Sequence, residues 1–197
     1  MVKLVKSTEE ATAILLDGGV GVLPTDTVYG LAARATDEDA VTRLYALKHR
    51  EHKPGTIVAA NIDQLVELGI KRRYLTAVES WWPNSLSVVI PTGDLLAYLH
   101  QGVDSLAIRI PKDERLQTIL VQTGPLVTSS ANAPGEPTAN NLKEAYHYFG
   151  DTVDFYVEGG NMANRQPSTV VRIVDDAIEV LRQGAVPIDE NGRIVAD

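Results

Sequence analysis

Short apolar runs and helix-period segments alternate along this chain, and that alternation limits its fold more than any other feature. Residues 20–23, 56–60, 85–91, 105–110, 126–128 and 154–157 read as strands bounded by Gly, Pro, Asn or Asp. Helical segments lie between them. Ser7 and Glu10 form a capping box for a helix over 8–17 that stops at Gly18-Gly19. Thr36 or Asp37 caps a second, in which Val41, Leu44, Tyr45 and then Lys48 follow one stripe. Further helical stretches are expected from Asn61 or Asp63 to Gly69, over 72–82, over 94–100, over 113–122 and over 142–149. Strands then cluster at 169–174 and 178–181, with Asp175-Asp176 as the turn. The pattern predicts the α/β class, with a mixed sheet.

The chain has 197 residues, enough for one domain over 1–197, and no linker or repeat divides it. No apolar run approaches the roughly 20 residues of a membrane span, and no signal-peptide core opens the chain. Cysteine is absent, which removes thiolate chemistry and suits a reducing compartment. These features predict a cytoplasmic protein without a membrane partner. The formal net charge of -8 argues against a general nucleic-acid binder, because phosphate contacts need local positive charge. Two basic clusters stand out: Lys48, His49, Arg50, His52 and Lys53, and the triplet Lys71, Arg72 and Arg73, which reads as a solvated face.

Polar residues gather near strand ends: Thr25 and Thr27, Arg109, Thr128 with Ser129, Ser130 and Asn132, Ser168, and Arg182. Each alone suits a turn, a cap or a surface ion pair. Together they lie where open α/β sheets bind ligands. The stretch 129–141, rich in Ser, Asn, Pro and Gly, reads as a loop. No HExxH or comparable metal spacing, no GxxxxGK[ST] loop and no GxGxxG fingerprint occurs. What remains is hydroxyls, an amide and strong cations: Lys48, Arg50, Arg109 and Arg182. That set suits a polyanion and charge stabilisation at phosphoryl oxygens. Lys48 and Arg50 also suit the C-terminal end of a helix, and spacing alone does not choose between the two roles.

The segments "PTDTVYGL", "LKHR", "SLAIRIP", "PLVTSSAN", "STVVRI" and "LRQGAV" occur in the order and rough spacing of the YrdC/TsaC family, which the chain resembles over about residues 9–184. A short tail, 185–197, follows. The resemblance implies a twisted α/β sheet with a large concave cavity. It implies threonylcarbamoyl-AMP synthesis, in which L-threonine, bicarbonate and ATP give threonylcarbamoyl-adenylate and pyrophosphate. Mg2+ would accompany the ATP, with no tightly bound cofactor. A downstream transferase complex would carry the group to the adenosine beside the anticodon of certain tRNAs. The implied catalytic set is Lys48, Arg50, Ser130 and Asn132. Thr25, Arg109, Thr128 and Ser168 would meet threonine. Ser105, Thr138 and Arg182, with Lys48, Arg50 and Ser130, would meet the nucleotide. Thr25-Asp26-Thr27 is then a substrate wall more than a plain turn, and loop 129–141 a cover.

The chain departs from the family pattern in places. Asp26 stands where Glu is usual, Asn84-Ser85 replaces a common Gly-Pro, Glu51-His52-Lys53 replaces a frequent Pro-x-Asp, and Ala59 stands where longer members often have histidine. Two other readings stay open: a non-catalytic RNA-binding module of the same fold, with weak binding of tRNA or structured RNA, and a paralogue making another carbamoyl adenylate, as the related domain of HypF does.

Overall fold

Side-chain oxygens start most helices where the sequence places them. In the computed structural model, which describes residues 3–5, 7–49, 51–175, 177–189 and 193–195, Ser7 accepts from Glu10 N and opens α1 (Thr8–Leu16). Asp37 opens α2 (Glu38–Leu47) and Asn61 opens α3 (Ile62–Glu67). The short α4 (Arg72–Thr76) and α5 (Ala97–His100) begin without a side-chain cap. Asp113 opens α6 (Glu114–Thr123) and Asn141 opens α7 (Leu142–Phe149). Each such oxygen satisfies one of the N–H groups a helix start leaves over, worth about 1 kcal/mol.

Among the described residues ten strands form one mixed sheet: β1 (Lys3–Val5), β2 (Gly21–Pro24), β3 (Tyr29–Arg34), β4 (Thr56–Val58), β5 (Leu86–Pro91), β6 (Ser105–Arg109), β7 (Leu126–Ser130), β8 (Phe155–Val157), β9 (Thr169–Val174) and β10 (Ala177–Arg182). Their order is β1-β8-β2-β3-β7-β4-β6-β5-β9-β10. The α/β class and the mixed sheet stand as expected. Two strands were not legible. β3 is buried along nearly its whole length and lacks alternation, and its Leu-Ala-Ala run favours helix in isolation. β1 is short and exists only by pairing with β8. The expected helix over 72–82 is broken: α4 ends at Thr76, and a 3-10 turn covers Glu79–Trp81, with Leu75 and Val78 both buried. β7 runs two residues further than expected, because β3 offers partners to Ser129 and Ser130.

Alternation along the strands sorts the two faces. Leu31, Ile57, Val88, Ile108, Val127 and Val171 enter one core, packed against residues of α2, α3, α4, α5 and α7. Ala32, Val58 and Leu126 enter a second core beneath α1 and α6. Two positions further along this second face, the side chains turn polar or vanish: Gly30, Thr56, Thr128 and Ser130. Helices thus cover one end of this face and leave the other end bare.

The far wall is tied down by one hydroxyl. Thr169, fully buried, donates to Val186 O at 2.6 Å and accepts from Gly184 N at 2.9 Å and Val186 N at 3.1 Å. Thr169→Val keeps the shape but leaves those backbone groups without their partner. We expect it to cost about 1–3 kcal/mol, read as a lowered urea midpoint at unchanged slope.

Candidate active site

The hairpin loop between β2 and β3 is both a turn and a wall. Thr25 N donates to Val28 O at 3.2 Å, and Thr25 Oγ1 donates to the same carbonyl at 2.6 Å. Thr25 Oγ1 also accepts from Thr27 N at 3.2 Å. These local bonds spend the threonines on the turn and turn Asp26 toward Arg109 of β6. Arg109 Nε lies 3.1 and 3.2 Å from the two carboxylate oxygens of Asp26, and Nη2 lies 2.7 Å from Oδ1. Both side chains are only 4% exposed. Ser85 Oγ donates to Asp26 Oδ2 at 2.9 Å. The carboxylate fixes one edge of the guanidinium, and a planar fork has a second edge to offer another carboxylate. Asp26 in place of the usual Glu therefore still reaches its arginine, and Ser85, one of the departures, joins the network.

Lys48 is the C-terminal cap of α2 and is 4% exposed. Its Nζ donates to Ser130 O at 2.8 Å, Asn132 O at 2.5 Å and Asn132 Oδ1 at 3.0 Å. Ser130 Oγ donates to the same Oδ1 at 2.6 Å. Asn132 Nδ2 donates to Ala133 O and Glu136 O, which holds the following loop. One lysine, one serine and one asparagine therefore form a single hydrogen-bonded unit across more than eighty residues of sequence. Arg50 lies outside the described residues.

Arg182 closes the far side. A register shift between Val180 and Arg182 sets Arg182 opposite Val170, and such bulges re-aim side chains. Its Nε and Nη2 donate to Ser168 O at 3.0 and 2.8 Å, and Nη2 lies 3.1 Å from Ser168 Oγ. Ser87 Oγ donates to Ser168 Oγ at 3.0 Å. The adjoining loop is pinned by Tyr29, which accepts from Gly159 N at 2.8 Å and donates to Gly160 O at 3.0 Å. Burial pushes the Tyr29 phenol above its ordinary range, so it stays a neutral donor.

Between these groups lies a cavity of about 660 Å³, its open mouth included. Thr25, Arg109, Thr128, Ser130, Ser168 and Arg182 line it. Lys48 and Asn132 adjoin it through Ser130. Ser105 and Thr138 are not among the residues that line it; Ser105 shares Arg109's face of β6, about 13 Å along the strand toward the bare end. Most of these residues stand on the sheet's bare face, more than beyond strand ends. The sequence reading gave no site role to Thr56, Ser85 or Ser87, and named Asp26 only as part of the wall Thr25-Asp26-Thr27. Alternation in β4 and β7 could have found Thr56, whose carbonyl accepts from Thr128 Oγ1 at 3.1 Å. The basic triplet lies elsewhere, with Arg72 bonded to Asp63 and Arg73 over the Tyr74 ring. No group of three or more His, Cys, Asp or Glu side chains that could hold a metal occurs among the described residues. No helix there is long and apolar enough to cross a membrane.

The model of the Sua5/YciO/YrdC family, described as telomere recombination, matches residues 13–184. A protein of Pseudomonas aeruginosa named threonylcarbamoyl-AMP synthase is 36% identical over 168 residues, which are 83% of this chain and 91% of that protein. One of the same name from Pyrococcus abyssi is 29% identical over 192 residues, 95% of this chain, and the chain spans only 56% of its length. The crystal structure of P. abyssi Sua5 complexed with L-threonine superposes with a TM-score of 0.82 at 26% identity, covering 95% of this chain and 58% of that one.

Proposed function

We propose that this chain, which belongs to the Sua5/YciO/YrdC family, is an L-threonylcarbamoyladenylate synthase. It would take L-threonine, bicarbonate and MgATP and give threonylcarbamoyl-AMP and pyrophosphate. The observation that carries the reading is the Lys48–Ser130–Asn132 unit at one side of a cavity whose other side presents a pre-set guanidinium. A carboxylate would meet the second edge of Arg109, and the amino acid would then lie on the floor among Thr25, Thr128 and Ser168. The amine takes up bicarbonate carbon to give a carbamate, with loss of water. A carbamate oxygen then attacks the α-phosphorus of ATP, and pyrophosphate leaves. Lys48, and Arg50 two residues on, would stabilise the charge that develops on the phosphoryl oxygens. No covalent intermediate on the protein is needed, since positioning and electrostatics carry the step. Mg2+ would enter with the triphosphate as part of the substrate, because among the described residues no carboxylate lines the cavity, and the nearby Asp26 is taken by Arg109. The product would pass, in the cytoplasm, to a transferase acting on tRNA, and any direct tRNA binding would be weak in a chain of net charge -8.

The test is threonine-dependent pyrophosphate release with MgATP and bicarbonate. Serine, which lacks the methyl, is expected to lose about 10–200-fold in kcat/KM. Valine, which lacks the hydroxyl the floor is built to bond, is expected to lose about 10⁴-fold. Equal rates with threonine, serine and glycine would refute the reading.

A further inference from the structure

Strained backbone collects beside the cavity. Among the described residues the non-glycine positions with positive φ are His49, His52, Gln101, Asp104 and Asp175. The first four belong to two segments that face each other. His49 follows Lys48, residues 51–55 lead into Thr56 of the cavity floor, and residues 101–104 form the turn after α5. A non-glycine residue in the left-handed region persists only where its surroundings enforce it, and such strain gathers at functional sites.

Here the enforcing contacts are visible. His100, 2% exposed, accepts two backbone N–H groups on Nδ1, from Gly102 at 3.1 Å and Asp104 at 3.2 Å. That pair of bonds fixes the turn, with Gln101 at φ 52 and Gly102 at φ 80. The turn presents Gln101 to the other segment twice. Gln101 O accepts from His52 Nδ1 at 2.8 Å, and Gln101 Oε1 accepts from Lys53 N at 3.1 Å. Tyr45 completes the lacing: its hydroxyl accepts from Gly55 N at 3.1 Å and donates to Leu99 O at 2.7 Å. Gly55 in turn is pressed on β7, where an added Cβ would stand 2.7 Å from Thr128 O. Residues 52–55 are therefore gripped by Gln101 and Tyr45, neither of which lines the cavity.

We propose that Gln101 is a positioning residue of the enzyme: it holds residues 51–55 in a strained path, and so sets the cavity wall between Lys48 and Thr56. The role rests on the synthase reading, since it is exerted through Lys48 and the residues after it. A part that only stabilised the fold would not need an exposed histidine and a half-buried glutamine to hold a short surface segment in the left-handed region.

The experiment uses the full chain and the variants Gln101→Ala, His52→Ala and Gln101→Glu. Gln101→Ala and His52→Ala each remove one of the two bonds, and Gln101→Glu keeps the acceptor toward Lys53 N. Two readings are taken: steady-state pyrophosphate release and hydrogen exchange of the amides of Glu51, His52, Lys53 and Gly55. Both alanine variants are expected to exchange these amides faster than wild type, with α6 unchanged. They should lose about ten- to a hundredfold in kcat, the scale of a small misplacement of catalytic groups. KM for threonine should stay within about twofold, since Thr25, Arg109 and Ser168 are not touched. Gln101→Glu should keep most of the activity. Unchanged exchange in both alanine variants overturns the inference whatever the activity. Faster exchange with wild-type kcat overturns it too. A wild type that releases no pyrophosphate overturns the synthase reading, and the role of Gln101 falls with it.

Discussion

Lys48→Ala is expected to release pyrophosphate about 10²–10³ times more slowly than wild type, the usual cost of removing one preorganised charge contact. The side chain is a buried ammonium with three oxygens around it, two of them from Asn132. That geometry holds the charge still while a reaction develops negative charge beside it, so no reorganisation is needed at the transition state. Burial complicates the alanine variant, because it also empties a packed site. Lys48→Met keeps most of the stem and removes the charge, and it should show the same loss of kcat with a smaller change in urea midpoint. Wild-type turnover in a folded Lys48→Met would return the residue to the role of a helix cap, which its position at the end of α2 also suits.

Asp26→Ala is expected to lower stability by about 3–5 kcal/mol, because it leaves the buried Arg109 guanidinium without its counter-charge. Asp26 holds Arg109 through two nitrogens of one edge and is itself held by Ser85, so its loss also frees the group proposed to bind the substrate carboxylate. Two further variants separate the effects. Asp26→Asn retains one acceptor oxygen and should cost less than Asp26→Ala. Arg109→Met removes the charge with its partner still present and should abolish threonine-dependent turnover. Equilibrium urea unfolding gives the first quantity and pyrophosphate release the second. An Asp26→Ala protein as stable as wild type would mean that water reaches the guanidinium and that the pair is not a buried one.

Local chemistry was written plainly in the sequence. Helix starts at Ser7, Asp37, Asn61, Asp113 and Asn141 depend on one side-chain oxygen and an N–H three residues on, so the chain carries them wherever it folds. The bounds of α7 and β9 fell where the pattern set them. Six motifs in order gave the family, and the hydroxyls and cations within them marked candidate walls before any distance was known.

Other features were decided only by parts of the chain far apart in sequence. β3 is a strand because β2 and β7 pair with it on both sides, although its own residues lean toward helix. Thr128 and Ser130 face a cavity because α1 and α6 stop short of that end of the sheet. Lys48 meets Asn132 across 84 positions, and Arg109 meets Asp26 across 83. The departure at residues 51–53 was visible as a change of residue type. That His52 and Lys53 there engage Gln101 was not, since the turn presenting Gln101 is built by His100 some fifty residues away. A sequence fixes what each residue can donate, accept or bury. Which of those capacities meet is set by packing, where strand pairing and buried charge leave few arrangements that satisfy every polar group.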